Sequence, residues 1–112
     1  MKMAQEQFYE IRRERLKPGA HDEFVRLMDE DVIPLHKSVG MDVVGSFVDP
    51  TQMDVFIWIR RFRSDAERAT QVAAVHATDL WRASLSSRVR DLVLLEQSSV
   101  ERLIPTAASR LT

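Results

Sequence analysis

The spacing of apolar residues changes once in the first third of the chain, at Lys17-Pro18-Gly19. Before that point, Gln7 to Leu16 alternates. Tyr9, Ile11 and Arg13 fall on one side and Phe8, Glu10 and Arg12 on the other, which is the period of a β-strand. Lys-Pro-Gly itself has turn chemistry, because proline presets φ and glycine tolerates a positive φ at the next position. From Ala20 to Ser38, Phe24, Met28, Val32, Leu35 and Val39 recur every three to four residues, which predicts an amphipathic helix. Asp22 and Glu23 suit the positive end of its dipole. Pro34 lies inside this run, removes one backbone hydrogen bond and predicts a bend or break. Gly40 predicts a left-handed cap.

Met41 to Val48 and Asp54 to Phe62 read as two strands joined in a hairpin through Asp49-Pro50-Thr51-Gln52. The later strand is apolar on both sides, with Val55, Ile57 and Ile59 against Phe56, Trp58 and Phe62. A strand of that kind is covered on both faces. Phe56, Trp58 and Phe62 are assigned to the face away from the helices, where a second sheet would cover them. Ser64-Asp65-Ala66-Glu67 is a capping box. The helix it opens is expected to turn Ala66, Ala69, Val72 and Ala73 inward. A break at Ala77-Thr78-Asp79 precedes a further helix with Trp81, Leu85, Val89 and Leu92 on one stripe. Val93 to Ile104 contains the fourth strand, and the tail after Pro105 is read as a mobile end. The resulting order is β-α-β-β-α-β, an α+β ferredoxin-like unit with a four-stranded antiparallel sheet and helices on one face. The open face predicts a homodimer in which two sheets form an α/β barrel.

Composition narrows the class. The 112 residues suffice for one domain, spanning 1–112 with its core at about 7–105. Lys and Arg number 16 and Asp and Glu 17, a balance that provides no field for nucleic acid or an anionic membrane. The absence of cysteine excludes disulfides, thiolate nucleophiles and cysteine-based metal sites. No apolar run is long enough to span a bilayer, and Met1 to Gln7 has no signal-peptide pattern. A cytoplasmic protein is therefore expected.

Several segments together resemble the NIPSNAP family: Phe8-Tyr9-Glu10-Ile11-Arg12 with Leu16-Lys17-Pro18-Gly19, Val32-Ile33-Pro34-Leu35-His36 with Gly40-Met41, Val44-Gly45, and the aromatic strand end at Trp58 running to Arg68 through Ser-x-x-Glu-Arg. The likeness extends from Phe8 to Pro105. It implies a dimeric α/β barrel of the kind shared with small cofactor-independent monooxygenases and muconolactone isomerases, and it names no reaction or substrate.

Candidate chemistry rests on few residues. His21, His36 and His76 do not share helical metal-ligand spacing, so no metal is expected. His36, beside the Pro34 irregularity, and His76, at the break in the second helical region, are the candidate proton-transfer groups because imidazole titrates near neutral pH. Tyr9, Arg13, Trp58 and Arg60 are the candidate ligand-binding residues. The arginines have two readings: cross-strand ion pairs from Glu10 or Glu14 to Arg60 or Arg61, or a clamp for a carboxylate or enolate. No glycine-rich phosphate loop or nucleotide fingerprint is present, and no cofactor is expected. Two functions follow. One is a cofactor-independent enzyme or binding protein, monooxygenase- or isomerase-like, for a small hydrophobic or aromatic molecule. The other is a non-catalytic dimeric protein-interaction module.

Overall fold

The computed structural model describes residues 7–111, so the segment read above for a signal pattern lies almost wholly outside the described residues. Strands β1 (Phe8–Arg15), β2 (Asp42–Asp49), β3 (Gln52–Phe62) and β4 (Ser99–Leu103) form one antiparallel sheet in the order β2-β3-β1-β4. Helices α1 (His21–Leu27), α2 (Ile33–Ser38), α3 (Asp65–His76) and α4 (Ser86–Leu92) connect them in the β-α-β-β-α-β order. Among the described residues, positive φ is confined to Gly19 (79°), which closes the turn after β1, and Gly40 (92°), which caps α2.

No break occurs at Pro34. The turn before it, Met28–Val32, is π-helical, and the Ile33 N–H reaches back five residues to the Met28 carbonyl. The backbone stays helical from Leu27 through Ile33, so the irregularity is one widened turn within a continuous helix. Its cause is spacing. Phe24, Met28, Val32 and His36 are buried at intervals of four, longer than the 3.6 residues of an α-turn, and a π-turn absorbs the accumulated phase error. A second π-turn, Trp81–Leu85, joins the break after α3 to α4. Thr78 starts this segment, its Oγ1 accepting the Trp81 N–H at 3.2 Å.

β1 and β3 decide which face is which. Phe8 pairs with Phe62, Glu10 with Arg60, Arg12 with Trp58 and Glu14 with Phe56, and all eight point towards the helices. Phe24 of α1 meets Phe56 edge-on at 5.3 Å, and His36 of α2 meets Trp58 at 5.2 Å. The assignment of Phe56, Trp58 and Phe62 to the open face is thus reversed; Ile57 and Ile59 take it instead. Both sets are apolar, and the deciding residue is Arg60, which enters the helix-covered side because Glu10 opposite it supplies a counter-charge.

The inward face of α3 also differs from expectation. Ala66, Ala69 and Ala73 are exposed, while Val75 is buried and Arg68 and Val72 are half-buried. Alanines bury too little area to orient a helix against longer side chains. At its start, the Ser64 Oγ accepts the Glu67 N–H at 3.1 Å, and Glu67 reaches back to the Arg63 N–H at 2.8 Å. On the open face the tail forms a turn in which the Ser109 N–H donates to Thr106. Leu111, Pro105 and Leu103 border a hollow over Tyr9, Ile11 and Ile59.

Candidate functional site

The side chains facing the helices alternate in character along β1 and β3. Phe8 and Phe62 join Met41 and Val75 in one small apolar cluster. Phe56 and Trp58 join Leu16, Phe24, Met28, Val32 and Leu85 in a larger one. Between the two lies a charged group. The Glu10 carboxylate, only 3% exposed as a residue, accepts from Arg60 through Nε at 3.1 Å and also through Nη2, and from Arg68 Nε at 2.7 Å. Burial alone would raise the Glu10 pKa, but the Arg60 charge and the Arg68 hydrogen bond outweigh it and hold the carboxyl below its usual range. Four residues further along β1, Glu14 accepts the Trp58 indole N–H at 3.0 Å and the Arg12 Nε at 3.3 Å. Of the expected cross-strand ion pairs, Glu10–Arg60 forms, with Arg68 of α3 added, whereas Glu14 turns to Trp58 and Arg12, and Arg61 to Gln7 and Asp42.

Over this floor the two helical regions leave a cavity of about 290 Å³. Arg12, Trp58 and Arg60 form its base. Met28, Val32 and His36 line one wall, and Trp81, Ser86 and Val89 the other. Both π-turns border it, since each supplies wall residues (Met28 and Val32 from one, Trp81 from the other). Exposed His76 and Arg90 stand at its mouth.

His36 is 4% exposed. Its Nδ1–H donates to the Val32 carbonyl at 2.7 Å, one turn back on its own helix. That bond fixes the tautomer and leaves Nε2 as a lone-pair acceptor without a protein partner among the described residues. Trp58 and Trp81 both meet the ring edge-to-face, at 5.2 and 5.9 Å. Burial above all, with smaller contributions from the charges of Arg60, His76 and Arg12, lowers the pKa to about 4 against the opposing Val32 bond. At pH 7 the imidazole is therefore neutral. His76 stacks on the far side of the mouth, its ring 5.5 Å from Trp81 and nearly parallel to it.

Four of the six residues singled out from the sequence thus border one cavity: His36, His76, Trp58 and Arg60. Tyr9 and Arg13 do not. Their register partners are Arg61 and Ile57, which places both on the opposite face of the sheet, Tyr9 beneath the tail. The charged and hydroxyl-bearing lining residues not among those six are Arg12, Glu14, Arg68, Ser86 and Arg90. Arg12 and Glu14 were accessible in principle, because they continue the Glu10 face of β1 at a period of two. Among the described residues no three His, Asp or Glu side chains gather as a metal site, and no helix is long and apolar enough to cross a membrane.

The family model for NIPSNAP matches residues 9–110. The chain belongs to the NIPSNAP family. A NIPSNAP family protein of unknown function from Agrobacterium tumefaciens is 28% identical, with a TM-score of 0.83, covering 98% of this chain and 97% of that one. A second A. tumefaciens NIPSNAP protein is 24% identical with a TM-score of 0.85, covering 95% and 99%. The fold extends further, to an antibiotic biosynthesis monooxygenase candidate from Bacteroides thetaiotaomicron at 12% identity and a TM-score of 0.63, covering 96% and 94%. No curated protein matches the chain. These likenesses agree with the ferredoxin-like fold and assign no activity to this chain.

Proposed function

We propose that this NIPSNAP protein binds a small hydrophobic or aromatic molecule in the cavity between sheet and helices, and acts on it without a cofactor. The observation that carries the reading is His36. A buried neutral imidazole, oriented by its own helix carbonyl, presents a free Nε2 to a space walled by Trp81 and floored by Trp58 and two arginines. Orientation by a backbone carbonyl is what a hydrogen-bonding or proton-accepting imidazole requires. In that role Nε2 takes a proton from a ligand carbon next to a carbonyl, or from a hydroxyl, and Arg12 and Arg60 stabilise the enolate-like oxygen that develops. A pKa near 4 makes His36 a weak base, so most of the driving force falls to the arginines.

The test is substitution at His36. His36→Gln retains a hydrogen-bonding side chain of similar reach. It should leave ligand binding within a few-fold while abolishing exchange of the ligand's acidic protons with deuterated solvent, read by proton NMR. Unchanged exchange would remove His36 as the base.

The same proposal includes a second copy of the chain on the open sheet face. Ile57 and Ile59 are half-buried there, and Phe47 and Leu103 are 52% and 42% exposed. A contiguous apolar sheet face of that kind is what a symmetric partner covers.

A further inference from the structure

We infer that the ligand of this cavity carries a permanent negative charge, a carboxylate being the group that fits, attached to a ring or short apolar body bearing a hydroxyl. The inference rests on the small-molecule reading and specifies it by counting charge. Four arginines line the cavity, Arg12, Arg60, Arg68 and Arg90. Against them stand two carboxylates, Glu14 in the lining and Glu10 directly behind it. Two positive charges are left over in a chain whose overall formal charge is −1, so the excess is local to the site.

Donor geometry points the same way. Arg60 spends Nε and Nη2 on Glu10, and Arg68 spends Nε on Glu10. Arg12 spends Nε on Glu14. Among the described residues, Arg60 Nη1 and both Nη atoms of Arg68 bond to no protein acceptor. Arg60 is fixed by its ion pair and by its place over the Trp58 ring, 5.1 Å from the centroid, so its spare donor is preorganised. An excess of held guanidinium donors beside an apolar wall suits a carboxylate far better than a neutral oxygen, because charge-assisted bonds are about twice as strong. The apolar body then lies between Met28, Trp58 and Trp81, and its hydroxyl donates to His36 Nε2. The volume of about 290 Å³ is at the lower end for ligand pockets and suits one substituted ring.

The experiment compares size-matched probes on the whole chain. Benzoate and 4-hydroxybenzoate are titrated against benzyl alcohol and 4-hydroxybenzyl alcohol, with the indole N–H signals of Trp58 and Trp81 as reporters in proton–nitrogen NMR. Each carboxylate should bind at least tenfold more tightly than its alcohol. Arg12→Gln, at a half-buried position, should erase most of that ratio while alcohol binding persists. Arg90→Gln, at an exposed position, should reduce the ratio with no risk to folding. Alcohols that bind as well as the acids would overturn the charge assignment and leave the small-molecule reading standing. A ratio unchanged in both variants would also overturn it. Failure of every probe to move either indole signal would sink the cavity as a ligand site altogether.

Discussion

At the scale of single residues, His36 and Arg60 show how this domain places polar groups inside. Each is tolerated because another part of the fold meets its needs: the Val32 carbonyl for the imidazole, Glu10 for the guanidinium. For His36 the provision is for the neutral form only, which ties stability to pH. The folded pKa is depressed from 6.5 to about 4. In the window between those values the unfolded chain takes up a proton that the folded one refuses. This contribution to stability is therefore complete above pH 6.5 and is lost as pH falls towards 4, by roughly 3 kcal/mol at most. Thermal melts of the native protein and of His36→Phe across pH 4 to 7.5 should show a steeper decline for the native chain. Parallel curves would mean that His36 is not held neutral.

At the scale of elements, the helix from His21 to Ser38 carries the most information. Its apolar residues at intervals of four hold a signal that a fixed α-period overlooks: Phe24, Met28, Val32 and His36 share one face only if a turn is widened. Pro34 pointed to irregularity, but not to its kind or to its position one turn earlier. The order of elements along the chain, the hairpin and the caps were legible because their residues act locally, as Gly40 and Ser64 do. The face of β3 was not legible, since both of its faces are apolar and only the pairing of Arg60 with Glu10 distinguishes them. The cavity was legible in part for the same reason. His36 and His76 stood out by chemistry, whereas Arg68, Ser86 and Arg90 join the site only through helix packing. If the π-turn sets the phase of His36, inserting one alanine after exposed Glu30 should rotate the rest of the helix by about 100°. His36 would then leave the cavity and titrate as an ordinary imidazole in NMR. A pKa still near 4 in the insertion variant would show that the turn does not hold it.

At the scale of the whole molecule, the two faces of the sheet divide the work. The helix side holds the charged floor and the cavity. The open side holds an apolar surface closed at one end by the tail. A dimer on this face should bury more than about 1,000 Å² in total, the lower bound for a specific interface. Ile59→Glu, which puts a charge on the open face, should give a monomer by light scattering while the Trp58 and Trp81 indole signals stay in place. A wild-type monomer at micromolar concentration would remove the dimer.

The cavity and His36 carry the account, and one measurement addresses both: long-range proton–nitrogen NMR of the His36 imidazole at pH 7, with and without saturating 4-hydroxybenzoate. The free protein should show a neutral ring protonated on Nδ1, and the ligand should move the Nε2 resonance while Nδ1 stays fixed by the Val32 carbonyl. A ring already protonated at pH 7, or an Nε2 signal that does not move when ligand saturates the protein, would contradict it.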